Sequence, residues 1–132
     1  MIIGAHFLLY STDAEADRTF LRDVLGLRPV DVGHGWLIFG MSPAEAAVHP
    51  LEGDFSHQHA GQEMLGAVLY LMCDDLEAEV ALLTTKGVQS TPVQTAQWGI
   101  TTSIPLPSGG KIGLYQPLHP TALHLKLSPE TA

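Results

Sequence analysis

Gly4-Ala5-His6-Phe7-Leu8-Leu9-Tyr10-Ser11-Thr12-Asp13 reads as an apolar strand running directly into the start of a helix. Residues 2–10 form a near-continuous Ile, Leu, Phe and Tyr run, the pattern of a strand buried on both faces. Alternation puts His6, Leu8 and Tyr10 on one face and Ala5, Phe7 and Leu9 on the other. Ser11-Thr12-Asp13 supplies N-cap chemistry, and Asp13, Glu15 and Asp17 place negative charge where the helix dipole favours it. Phe20, Leu21, Val24 and Leu25 then recur at helical spacing, and Gly26 is suited to end the helix. The stretch returns as Gly66-Ala67-Val68-Leu69-Tyr70-Leu71-Met72-Cys73-Asp74-Asp75. His6 and Val68 stand 62 positions apart, and Asp13 and Asp75 keep that offset.

Outward from these two copies, each half predicts the same order of elements. After the first helix, strands are expected at residues 28–32, 36–39 and 46–49, ended by Gly33-His34-Gly35, Gly40 and Pro50. Residues 51–65 are polar and aperiodic and read as a connector. After the second copy, Leu76, Val80 and Leu83 mark the core side of a helix that Lys86-Gly87 ends. An interrupted strand at 88–93, a strand at 98–104, a turn at 106–110 and a last strand at 111–115 follow, before Pro117. The chain therefore divides into a β-α-β-β-β module at 1–50, a connector at 51–65, a second module at 66–117 and a tail at 118–132. Each half-sheet needs a helix on one face and cover on the other. The expected fold is α+β, with two β-α-β-β-β modules forming one curved mixed sheet, a concave pocket inside and the helices outside.

Bulk properties set the limits. The sequence of 132 residues is long enough for one domain that buries about two-thirds of its unfolded surface. A hydrophobic share of 45% argues against disorder. A net charge of −8 leaves no basic footprint for nucleic acid or an anionic membrane. Cys73 is the single cysteine, so no disulfide can form within the chain. No leader-type segment and no apolar run near the ~20 residues of a membrane span is seen, and a soluble, cytoplasmic protein is expected.

Several side chains are candidates for chemistry. By parity with His6 and Val68, the concave face should carry Leu8, Tyr10, Tyr70, Met72, Lys111, Gly113 and Tyr115, with Trp36 and Trp98 opening equivalent strands. An aromatic wall with a few polar ends suits a small-molecule pocket. Glycine in mid-strand, as at Gly113, leaves room for close approach. His57-Gln58-His59 could project both imidazoles to one side if extended, but no third ligand stands near in sequence; His119 and His124 lie in the tail. Cys73, at the start of the second helix, is positioned for a lowered pKa, although no histidine is predictably beside it. Ser108-Gly109-Gly110-Lys111 lacks Walker spacing and precedes a strand, so it reads as a hairpin turn.

Ala5-His6-Phe7-Leu8-Leu9-Tyr10, the helix ending Phe20-Leu21-Arg22-Asp23-Val24-Leu25-Gly26-Leu27, Gly87 and the closing Leu106-Pro107-Ser108-Gly109-Gly110-Lys111-Ile112-Gly113-Leu114-Tyr115 together resemble the vicinal oxygen chelate superfamily. That group includes glyoxalase I, bleomycin-resistance proteins, fosfomycin-resistance transferases and extradiol dioxygenases. The resemblance covers residues 2–117. It implies a VOC fold, a homodimer, and a divalent metal (Zn, Ni, Mn or Fe) on the concave face. Carried over by position, glyoxalase-type ligands fall at His6, His49, Val68 and Gly113, and the dioxygenase triad at His6, Val68 and Gly113. Valine and glycine supply no donor, so His6 and His49 remain as metal-ligand candidates. The expected function is small-molecule binding of the glyoxalase/bleomycin-resistance/dioxygenase type with an incomplete metal site. Its candidate ligand-binding residues are His6, Leu8, Tyr10, Trp36, His49, Tyr70, Met72, Trp98, Gly113 and Tyr115. The alternatives are a metal-dependent lyase, isomerase or extradiol-type dioxygenase that draws a third ligand from elsewhere, and a dimeric scaffold with a packed interior.

Overall fold

The computed structural model describes residues 5–53 and 56–125. The outer parts of two expected segments, 2–4 of the first strand and 126–132 of the tail, lie outside the described residues, as do 54–55 of the connector. The architecture is α+β, and the described residues form two helices and three sheets, in the order α1 (Ala14–Asp23), β1 (Pro29–Asp31), β2 (Leu37–Phe39), β3 (Ser56–His59), β4 (Gln62–Leu65), β5 (Tyr70–Met72), α2 (Leu76–Thr85), β6 (Gln94–Ala96), β7 (Gly99–Pro105) and β8 (Lys111–Pro117).

The two helices start alike because their sequences do. The Asp13 carboxylate accepts from the Ala16 N–H at 3.2 Å, and the Asp75 carboxylate accepts from the Ala78 N–H at 3.1 Å. Each satisfies a donor that the helix itself leaves free. Gly26 and Gly87, just past the two helices, both take positive φ, the conformation that lets the chain turn away without a Cβ clash.

The second half forms a four-stranded sheet in the order β5-β8-β7-β6, with β5 parallel to β8 and the other pairs antiparallel. Pairing of Thr102 with Leu114 and Ile104 with Ile112 fixes which side chains face the helices. Leu76 and Leu83 of α2 close over Ile104, Leu106, Ile112 and Leu114, and Val88 completes this core. Ile104 and Leu76 are 0% and 1% exposed; burying a side chain of that size contributes about 1.5–3 kcal/mol. The helix α1 and the two residues after it lay Phe20, Leu21, Val24 and Leu25 on the same core. Two polar ties fix it there. Lys86 Nζ donates to the Val24 carbonyl at 3.0 Å, and the buried Asp17 carboxylate accepts from the Ser108 N–H at 3.0 Å and hydroxyl at 2.7 Å.

Four expectations need correction. The strand expected at 88–93 pairs instead at Gln94–Ala96; Pro92 has no N–H for a ladder, and Thr91 is drawn to the Ser103 carbonyl at 2.9 Å. Residues 5–10 lie in no strand, although their pattern is the strongest in the chain. A strand exists only when a neighbour takes its backbone groups, and among the described residues no strand of this chain pairs with them. Residues 46–49 likewise form no strand; Pro43 and Pro50 bracket them and remove backbone donors. The connector, expected to be aperiodic, contains the β3–β4 hairpin, turned by Ala60 and Gly61 at φ 51° and 75°, the pairing of positive angles that tight hairpins favour.

Candidate functional site

The face of the four-stranded sheet opposite the helices is the candidate site. Register sets its membership: Tyr70 lies opposite Gly113, Met72 opposite Tyr115, and Thr101 opposite Tyr115 on the other side. All therefore point away from α2, as strand parity requires. The Tyr115 ring is the hub. Its centroid is 5.9 Å from that of Tyr70 and 5.6 Å from that of Trp98, both edge-on at 63°. These are the spacings at which aromatic quadrupoles attract. Two glycines let the rings lie down on the sheet. A Cβ at Gly113 would come within 2.1 Å of the Tyr70 ring, and one at Gly99 within 2.1 Å of the Tyr115 ring. The room above Gly113 is thus taken by the Tyr70 ring in the isolated chain. Trp98 and Tyr70 are 53% and 44% exposed, so the wall is open to solvent.

One end of the wall is polar. The Tyr115 hydroxyl lies 3.2 Å from the Trp98 carbonyl and also hydrogen-bonds His119 Nε2. His119 Nδ1 lies 2.7 Å from the Pro120 carbonyl, a bond in which the ring nitrogen is the donor. Glu45 holds this end down: one carboxylate oxygen accepts from the Ala122 N–H at 2.8 Å, and the other is 3.9 Å from His119 Nε2. Burial, and then the Glu45 charge, push the Tyr115 phenol above its ordinary pKa. His119 and Glu45 are the members of this site that sequence reading missed.

The structure brings Tyr70, Met72, Trp98, Gly113 and Tyr115 together and leaves the other candidates apart. Tyr10 stacks on the β3–β4 hairpin, with ring centroids 5.8 Å from both His57 and His59. Trp36 lies under Arg18, whose Cζ is 4.6 Å from the ring centroid. His49 Nδ1 is 2.7 Å from the Pro50 carbonyl. His6 and Leu8 are exposed. Hollows of about 390 and 310 Å³ lie away from the aromatic wall, the first lined by Thr84, Gly87, Val88, Gln89 and Ser90, the second by Tyr10, Ser11, Thr12, Ser108 and Gly110.

Two chemical expectations fare differently. The Cys73 thiol is pushed up, by burial and then by Glu79, so it is no activated nucleophile despite its place before α2. A divalent metal is common in proteins of the resembled group, but the donors at the corresponding positions do not fit one. Val68 and Gly113 offer no ligand atom, and the Tyr70 ring covers Gly113. Among the described residues no cluster of three or more His, Cys, Asp or Glu could hold an ion. No helix among them is long and apolar enough to cross a membrane.

Comparison with known proteins bears on the family and the fold. The sequence profile of the Glyoxalase/Bleomycin resistance protein/Dioxygenase superfamily matches residues 4–104. Among curated proteins none matches the chain. The solved structure of TnmS3, an antibiotic binding protein from Streptomyces sp. CB03234, is 24% identical with a TM-score of 0.61, over 89% of this chain and 98% of that one. Lactoylglutathione lyase from Agrobacterium tumefaciens is 16% identical with a TM-score of 0.58, over 86% and 92%. A superfamily member from Sphaerobacter thermophilus DSM 20745 is 21% identical with a TM-score of 0.53, over 87% and 98%. At these identities the likeness speaks for the fold.

Proposed function

The chain belongs to the Glyoxalase/Bleomycin resistance protein/Dioxygenase superfamily, and from that premise we propose that it binds a flat, partly aromatic small molecule against the Tyr70–Tyr115–Trp98 wall. The observation that carries this reading is the pair of glycines under the wall. Gly99 and Gly113 give up side-chain packing so that two tyrosine rings can lie on the sheet, and the Tyr70 ring stays 44% exposed. A ligand ring would extend the stack, and its polar end would meet the Tyr115–His119–Glu45 corner. That a similar fold serves an antibiotic binding protein is consistent with the reading.

The same reading takes residues 1–50 and 66–117 as the two modules and assigns a homodimer. Phe7, Leu8, Leu9 and Tyr10 are 44–59% exposed, too much apolar chain to leave in water, and among the described residues β5 pairs on one side only, with β8. A second copy would cover both and roof the wall. A lone thiol fits a reducing, cytoplasmic setting. Catalysis through a metal at His6 and His49 is not part of this reading, since the donor set there is incomplete.

The test uses Trp98 as the reporter, in a Trp36→Phe background where it is the sole indole. Bleomycin and a panel of planar aromatic antibiotics are titrated against it. Saturable quenching is expected from at least one compound, weakened roughly two- to tenfold by Tyr115→Ala, the value of one aromatic contact. Saturable binding that Tyr115→Ala and Tyr70→Ala leave unchanged would place the ligand elsewhere.

A further inference from the structure

We propose that the β3–β4 hairpin is a copper(II)-binding site, with the imidazoles of His57 and His59 as its nitrogen ligands. His57 and His59 are alternate residues of one strand, so both imidazoles leave the same face, from backbone positions about 6.6–6.8 Å apart. Register places Met64 directly across from His57 and Gln62 across from His59. That face therefore presents two imidazoles, a thioether and a carboxamide oxygen, and no cation.

Two features hold this set in place. The Tyr10 ring packs against both imidazoles at 5.8 Å, and its hydroxyl donates to the Gln58 carbonyl between them at 3.4 Å. It limits where each imidazole can swing, which lowers the entropy lost when an ion joins them. The tight turn at Ala60 and Gly61 keeps the strands in register. His57 and His59 remain exposed and so accessible to an ion.

The ligand chemistry selects copper. Imidazole binds zinc, nickel and copper, and among divalent first-row ions an N/O site holds Cu²⁺ most tightly. Zinc sites ordinarily use three or four protein ligands of the His, Cys or carboxylate type, and this face has two. Two imidazoles with carboxamide and water oxygens make the tetragonal N/O set that Cu²⁺ prefers, and the Met64 sulfur is a weak axial donor. The net charge of −8 favours any cation's approach. The site is separate from the aromatic wall and from His6 and His49.

The experiment titrates CuCl₂ into the full chain in glycine buffer, which competes for the ion, and records the electron paramagnetic resonance spectrum. The expected result is one equivalent of Cu²⁺ with superhyperfine splitting from two imidazole nitrogens. Loss of a group that merely orients a ligand costs roughly 10–100-fold in metal affinity, so His57→Ala and His59→Gln should each weaken uptake by at least about tenfold. Unchanged circular dichroism is expected, because both side chains are exposed, and the double variant His6→Ala/His49→Ala should retain the equivalent. The proposal is overturned if no equivalent survives competition with glycine, if His57→Ala/His59→Ala together retain it, or if it disappears with His6 and His49 instead.

Discussion

The two halves of this chain begin with nearly the same instructions and end in different states. Asp13 and Asp75 cap their helices with the same bond to the residue three positions on, and both helices lie on one core. Beyond that the halves part. Among the described residues the second half has four paired strands and supplies all seven buried apolar residues of the core. The first half contributes a helix, a short hairpin and an apolar segment at 5–10 that no strand among the described residues pairs with. A β-α-β-β-β pattern is thus sufficient for a closed half-sheet only when its first strand finds a parallel neighbour, as β5 finds β8. Among the described residues the first half therefore leaves apolar chain uncovered, the side where the proposed homodimer would form, while the second half carries a packed sheet.

The largest expected effect of a single change lies in the self-sufficient half. Ile104→Ala should cost about 2–5 kcal/mol in urea unfolding, since it removes a fully buried side chain from between α2 and the sheet. A cost under about 1 kcal/mol would mean that this core does not dominate stability.

The joint between the halves comes next. Asp17→Ala leaves the Ser108 N–H and hydroxyl without their acceptor, and about 1–3 kcal/mol should be lost. The same bond predicts a pH dependence. Burial alone would raise the Asp17 pKa, but hydrogen bonds from the Ser108 hydroxyl, the Ser11 side chain and the Ser108 backbone prevail and hold it below its ordinary value of 3.8. A lowered folded-state pKa means that the stabilisation is present above about pH 4 and fades as pH falls through the folded value. Unfolding curves of the wild type and Asp17→Ala should therefore converge below that pH. Parallel curves from pH 7 to pH 2 would show that the carboxylate contributes nothing.

The smallest effect tests what the halves share. Asp13→Ala and Asp75→Ala should each cost about 1 kcal/mol, with matching values because the cap geometry matches. A cost confined to Asp75 would extend the inequality of the halves to their helices.

Much of this was legible in the chain. Both helices, their caps and their core positions follow from Asp13, Asp75, Leu76 and Leu83, because caps and 3.6-residue spacing act within one element. The aromatic face was legible from parity alone at Tyr70, Gly113 and Tyr115. Other features escaped because they depend on contacts between distant residues. The segment at 5–10 has a strand's composition but lacks a strand's neighbour, and composition cannot supply one. The β3–β4 hairpin has polar residues on both faces and a turn begun by alanine, so neither hydrophobic alternation nor turn chemistry announced it. His119 sits between Leu118 and Pro120 in what reads as a tail; only the fold carries it back to Tyr115 and Glu45.

The inequality of the halves is most directly tested by hydrogen exchange read residue by residue, at protein concentrations spanning the range over which sedimentation shows the proposed homodimer to form. The predicted result is constant protection at Thr102, Ile104, Ile112 and Leu114, with protection of Phe7 to Tyr10 and of the β5 edge rising together as dimer forms. Residues 7–10 that exchange at the free-chain rate in a fully dimeric sample would contradict it, as would protection there that is already complete in the monomer.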